Sequence, residues 1–257
     1  YRATWTATDQ VPQRLIDAGT YNGAPFTRFS SLDPTAGGDT ARNSLSAEWH
    51  GSGALGRSKV SAYAVQYRLD LNSNFTYAME RPADGDQFKQ RDQRHVTGLD
   101  ASHSLGHRLF GWEANSEIGL SLRQDRARVG LFDSVARRIT ATVREDEIRE
   151  TLGGVYAQTA VDISKGLRAI VGARADHVDN RVAALTLSTN GGRSNARLVS
   201  PKLSLIARPF DKTELFFNAG RGFHSNDARG TTSTQEPLTG AAVDKVPPLV
   251  ASRGYEL

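Results

Sequence analysis

Any chemistry in this 257-residue chain has to come from a short set of side chains, because it has no cysteine and only six histidines. The absence of cysteine removes thiol nucleophiles, disulfides and zinc knuckles. No G-x-S-x-G, H-E-x-x-H or phosphate-loop pattern occurs, so the usual signatures of acyl transfer, zinc hydrolysis and nucleotide binding are missing. His103 and His107 are near enough in sequence to be tried as a metal pair, but a turn is expected between them, and they read as residues at one rim of a sheet. The stretches Asp33 to Asp39 and Asp84 to Asp86 combine carboxylates with glycines, as calcium loops do. Neither has the twelve-residue EF-hand spacing, so they read as solvated loop acids. Arg221 is flanked by Gly220 and Gly222, ahead of Phe223 and His224, and this reads as a bend where a strand enters its loop. No catalytic residue, cofactor or metal is expected from this inventory.

The elements that must position these residues are strands. Period-two alternation recurs along the chain and helical periodicity is nearly absent. Leu167, Ala169, Val171, Ala173 and Ala175 alternate with Arg168, Gly172 and Arg174. Val155, Ala157, Thr159, Val161 and Ile163 alternate with Tyr156, Gln158 and Asp162, and Leu215, Phe217 and Ala219 with Glu214, Phe216 and Asn218. The pattern predicts strands near 1–8, 42–50, 58–69, 91–104, 109–127, 144–163, 167–182, 197–208, 213–222 and 253–257. Several exceed the usual soluble strand of about 5 or 6 residues and reach the roughly 9–11 that cross a bilayer. No run of roughly 20 apolar residues exists, so a helical span is excluded.

The connections alternate between short (50–57, 105–108, 164–166, 209–212) and long (9–41, 70–90, 128–143, 183–196, 223–252). In an up-and-down meander this makes one end tight and the other elaborate, as in outer-membrane barrels with an apolar outer face and a polar lumen. A soluble antiparallel sheet with one wet face gives the same alternation but accounts for neither strand length nor loop asymmetry. On the barrel reading Val155, Val161, Ile163, Leu167, Ala169, Val171, Leu203, Leu205, Leu215 and Phe217 face lipid. Tyr63, Tyr67 and Trp112 are candidates for the interfacial aromatic girdles, and Arg168, Arg174, Asp176, Lys202 and Glu214 for a charged lumen network. The charge is +4, from 32 Lys plus Arg and 28 Asp plus Glu. Basic and acidic residues are interspersed without the basic block that tracks a phosphate backbone, so nucleic acid is not an expected partner.

Four stretches carry a resemblance. These are SPKLSLIARPFDKTELFFNAGRGFHSNDARG (Ser200 to Gly230), GGVYAQTAVDISKGLRAIVGARAD (Gly153 to Asp176), ATDQVPQRLIDAG (Ala7 to Gly19) and SRGYEL (Ser252 to Leu257). In this order they resemble the barrel of TonB-dependent outer-membrane receptors of Gram-negative bacteria. The resemblance implies an all-β, antiparallel up-and-down transmembrane barrel of 22 strands closed around a plug domain. About ten of those strands are expected here, with no plug and no TonB-contacting segment, so that 1–257 reads as one partial barrel domain from inside the wall.

The resemblance also implies a function without catalysis, the active import of a scarce, bulky ligand such as a siderophore, haem, cobalamin or a metal chelate. Partners would be outer-membrane lipid, that ligand and the TonB system. A passive porin and, less favoured, a barrel-borne hydrolase are the rival readings. Ligand contacts are expected in the long loops, with Arg128, Arg137, Arg138, Arg193, Arg229, His224 and Asp227 as candidates. Their mostly positive charge would favour an anionic ligand. Contact with anionic outer-leaflet lipopolysaccharide, or simple loop solvation, is the alternative for any one of these arginines.

Overall fold

The computed structural model describes residues 1–6, 13–21 and 23–257. In chain order its elements are β1 (Arg2–Thr6), α1 (Gln13–Ala18), β2 (Thr20–Tyr21), β3 (Ala24–Pro25), β4 (Gly37–Gly53), β5 (Gly56–Ser73), β6 (Phe88–Leu109), β7 (Trp112–Val135), β8 (Arg138–Ser164), β9 (Leu167–Ala184), β10 (Gly192–Phe210), β11 (Thr213–Ser225) and β12 (Leu249–Glu256). A 3₁₀ turn covers Ser188–Asn190. Apart from the small β2–β3 hairpin, the strands form one ten-stranded sheet in sequence order, every pairing antiparallel. The all-β, up-and-down expectation therefore holds. Of the expected strand 1–8, Ala7 and Thr8 lie outside the described residues, as does most of the matching stretch's start at residues 7–12.

The short turns hold only two residues each, at 54–55, 110–111, 165–166 and 211–212. Phe110 (φ 51°) and Gly111 (φ 87°) are both left-handed, the twist that suits a two-residue hairpin. This turn was expected at 105–108, but those residues are still paired, Leu105 with Ser116 and Arg108 with Glu113. At the opposite end the connections are long, with one exception. The expected loop 128–143 is strand on both sides of a two-residue turn, Ala136 (φ 48°) and Arg137 (φ 69°). The expected loop 183–196 shrinks to 185–191, and β12 begins at Leu249 instead of residue 253. The reason is common to all three. Strands were recognised by apolar alternation, which stops where the sheet leaves the apolar band, whereas an antiparallel ladder continues wherever backbone partners are in register.

Direct cross-strand partners share a face, so the register sorts the whole sheet. The row Ala62, Leu99, Leu122 and Gly153, and the row Ala101, Leu120, Val155, Ala175 and Val199, lie on one face. Val161, Ala169 and Leu205, then Val171 and Leu203, and finally Leu167, Ala207 and Leu215 continue that face toward the short turns, with Leu205 opposite Phe217. Leu99, Leu120, Leu122, Val155, Val171, Val199 and Leu215 are exposed, Val155 by 60% and Val171 by 58%, while Val161, Leu167, Ala169, Leu203, Leu205 and Ala207 are half-buried. An apolar face left this open is the outer band of a transmembrane barrel. Ile163 falls at a bulge between Asp162 and Ser164. Trp112 stands on the apolar face near the short turns, and Trp49 joins it there, paired with Val60. Tyr63 and Tyr67 do not belong to a girdle. With Val60, Ala62 and Ala64 outward, odd positions of β5 point to the opposite face, where the Tyr63 ring covers Gly98. We call the apolar face outer and its reverse inner.

Candidate functional site

The inner face is polar, and its charges are paired along the strand. In β6 Arg94 bonds Asp92 at 2.9 Å, in β7 Arg123 bonds Asp125 at 2.9 Å, in β8 Arg144 bonds Asp146 at 2.5 Å and in β9 Arg174 bonds Asp176 at 2.7 Å. Positions i and i+2 of a strand lie on one face, so each Arg reaches its neighbouring Asp without crossing a strand. Arg174 also donates to Ser121 two strands away, at 2.5 Å. It can do so because residue 154 beneath it is glycine, and a Cβ there would collide with the guanidinium and with Asp176. The expected lumen residues Arg168, Arg174, Asp176 and Lys202 all share this face. Glu214 accepts from Arg208 nearer the short turns.

Toward the long-connection end, the segment 226–248 folds onto this inner face. Ala228, Thr231, Thr232 and Ser233 are buried there, and the Thr231 hydroxyl bonds that of Ser194 on β10 at 2.5 Å. Residues 227–233 form a compact turn in which Gly230, Thr231 and Ser233 donate to the carbonyls of Asp227, Ala228 and Arg229. Asn190, in the 3₁₀ turn and 1% exposed, holds the segment from the side. Its amide oxygen accepts from the backbone of Thr234 (2.9 Å) and Gln235 (3.0 Å), its amide nitrogen donates to the carbonyl of Gln235 (2.8 Å), and its own carbonyl accepts from Thr232 (2.8 Å). Arg144 donates to Ser233 at 3.0 Å.

Between segment and wall lies a cleft of about 600 Å³, lined among others by Asp92, Arg144, Asp227, Arg229, Glu236 and Leu238. A smaller cavity beside it is lined by Arg94, Arg123, Asp125, Glu150 and Asp227. Burial would raise the Asp227 carboxyl, yet the hydrogen bonds and charge of Arg229 hold it below its ordinary value. Asp227 in turn raises Arg229 further above an ordinary arginine, against the effect of burial. Glu236 is lowered by the backbone N–H of Leu238, the Thr239 hydroxyl and the Thr239 N–H. The cleft therefore presents fixed charges of both signs.

The sequence-derived candidates separate into three places. Asp227 and Arg229 line the cleft. His224 is on β11, three residues before Asp227 in sequence, exposed and paired with Val250. Arg137 sits at the β7–β8 tip, where its guanidinium donates to the carbonyls of Thr35 (2.6 Å) and Ala36 (3.4 Å), and Arg138 is exposed next to it. Arg193 is on the outer face. Of the acids expected to be solvated in the long connections, Asp84 is exposed, whereas Asp33 and Asp86 hold loops together. Asp33 accepts from Thr35, Asn74 and Gln87, and buried Asp86 accepts from the backbone N–H groups of Met79, Glu80 and Arg81. His103 and His107 bond Ser58 and Ser116, each at 2.8 Å. Arg144, Asn190 and Glu236 were not singled out from the sequence. Nothing in their neighbourhoods marks them until the 226–248 segment folds back over β8 and β9.

The comparisons agree with this architecture. The ferric citrate transporter FecA superposes with a TM-score of 0.64 at 12% identity, over 77% of this chain and 29% of that one. The copper transporter OprC gives 0.61 at 15%, over 86% and 38%, and the ferric yersiniabactin uptake receptor FyuA from Yersinia pestis gives 0.55 at 14%, over 88% and 34%. The chain thus spans about a third of the length of these structures, and at such identities they speak for the fold. No curated protein sequence is matched. A family model described as TonB dependent receptor-like, beta-barrel matches residues 1–256, and with the antiparallel meander and its apolar outer band already in view, the chain belongs to that family.

Proposed function

We propose that this chain forms ten strands of the wall of a Gram-negative outer-membrane importer that takes up a bulky metal chelate in a TonB-dependent manner, with its long connections outside the cell. The family supports transport in general. The observation that supports a ligand-capturing role for this segment is the cleft under residues 226–248, which opens at the long-connection end and carries Arg144, Asp227, Arg229 and Glu236. Charges held by backbone and salt bridges are already oriented, so a polar ligand would be bound without the entropy cost of ordering them. Asp227, Arg229 and His224 are the contacts we favour among the loop candidates, with Arg137 acting through the loops it ties together.

The test uses the full-length receptor. Uptake of a panel of ferric and cupric chelates should require TonB and stop when the proton-motive force is collapsed. Uptake of small solutes that persists without TonB would overturn the importer in favour of a passive pore. For the transported chelate, the pair Asp227→Asn and Glu236→Gln, and the pair Arg144→Gln and Arg229→Gln, should each weaken binding tenfold or more at unchanged receptor level. Unchanged binding in both would remove the cleft from ligand capture.

A further inference from the structure

The outer face carries a second charged region of a different construction. Register places Arg126, Arg149, Arg181 and Arg193 directly opposite one another on β7, β8, β9 and β10, with His95 of β6 opposite Arg126. At about 4.8 Å between strands, the row runs roughly 19 Å across the sheet. All five side chains are exposed. Like charges directly opposite each other are destabilising, and the neighbours offset them only in part. Arg126 donates to the neutral Gln124 at 3.0 Å, while Arg181 and Arg193 share the single carboxylate of Asp179. Arg149 has no hydrogen-bond or acidic partner among the described residues. Arg128, next in line on β7, is taken up by Glu145 at 2.9 Å and Glu147 at 3.9 Å, and Arg197, below on β10, adds a further cation.

The row's height says what meets it. Leu122, the last leucine of the outer band on β7, is four residues from Arg126, about 13 Å along the strand. A tilted strand places the row at headgroup level, on the side of the membrane facing the long connections.

We propose that this arginine row is a docking site for the phosphorylated headgroup of a glycolipid of the outer leaflet. Guanidinium forks match phosphate oxygens bidentately, and a row spaced by the strands offers several such forks to one headgroup while its acyl chains lie on the apolar band below. The proposal rests on the membrane orientation stated above.

The experiment inserts full-length receptor into phosphatidylcholine vesicles with and without bis-phosphorylated lipid A, and titrates short-chain lipid A against receptor in zwitterionic detergent. Arg126→Gln, Arg149→Gln, Arg181→Gln and Arg193→Gln together should weaken lipid A binding at least tenfold and flatten its salt dependence. The inner-face variant Arg123→Gln should leave binding unchanged. Arg149→Gln and Arg149→Lys serve as single changes in case the quadruple variant folds poorly, with Lys retaining more binding than Gln. Equal binding by wild type and the variants would overturn the proposal, and so would displacement of lipid A by millimolar inorganic phosphate alone. A receptor that inserts and transports but shows either result refutes the lipid site only. One that neither inserts nor transports refutes the membrane reading with it.

Discussion

The two faces of the sheet use arginine in opposite ways. On the inner face each of four arginines is closed on an aspartate two residues along its own strand, and three of the aspartates are nearly inaccessible, Asp125 at 6%, Asp146 at 1% and Asp176 at 3%, with Asp92 half-buried. On the outer face four arginines stand side by side across four strands with one aspartate between two of them. Alternation alone makes both arrangements available, since i and i+2 share a face along a strand and register partners share a face across strands. The inner pairing lets charge be covered by the 226–248 segment without an uncompensated ion, whereas the outer row is stable only where solvent or a counter-charged headgroup screens it. Buried charge is matched internally, and exposed charge is left for a partner.

The sharpest way to break this contrast is to put charge where the outer face has none. Val171→Arg in the apolar band should lower the stability of full-length receptor in vesicles by about 2–4 kcal/mol, and Ser204→Arg, at inner-face level, by far less. Urea titration of vesicle-inserted receptor measures both, and equal costs would mean that the faces are assigned wrongly.

Smaller, and on the inner side, Arg174→Ala strands the Asp176 carboxylate and should cost about 1–3 kcal/mol. The matching outer change, Arg149→Ala, should stay within about 0.5 kcal/mol of wild type in lipid-free detergent, or stabilise slightly by relieving repulsion. Asn190→Ala leaves the Thr234 and Gln235 N–H groups without their acceptor. It should loosen residues 226–248 by about 1–2 kcal/mol, read as faster hydrogen exchange and new protease cleavage confined to that segment.

The smallest effect is in pH. Asp33 and Asp227 are held below the ordinary carboxylate value, so their ionised forms favour the folded loops. That contribution is complete above the unfolded value of about 3.9 and is lost as pH falls through the lower folded values. Hydrogen-exchange protection in 226–248, taken relative to the intrinsic exchange rate at each pH, should therefore stay flat from neutral pH down to about 4 and fall below it, with Asp227→Asn abolishing the fall.

The strands carrying leucine, valine and alanine at every second position were legible because lipid on one side and a polar lumen on the other impose different chemistry on alternate residues. Leu167 to Ala175 shows this over nine residues. The β7–β8 extension is not legible, because in Arg128 to Val143 the apolar residues do not alternate, Leu131 and Phe132 being adjacent, and neither side-chain pattern nor glycine marks the two-residue turn at Ala136 and Arg137. Tyr63 and Tyr67 were misplaced because an aromatic residue suits an interface and a lumen equally, and only the parity of Val60, Ala62 and Ala64 decides between them.

Sequence alone determined the all-β class, the antiparallel meander, the apolar set and the family resemblance. Each follows from period and order along one strand or one turn. The sets that only tertiary structure decided are those assembled across strands. Asp227 and Arg229 meet Arg144 only when 226–248 folds over the sheet, and the arginine row exists only in the register that aligns residues 126, 149, 181 and 193. A one-residue slip would turn those side chains to the other face, and nothing local in any single strand records which register its neighbour adopts.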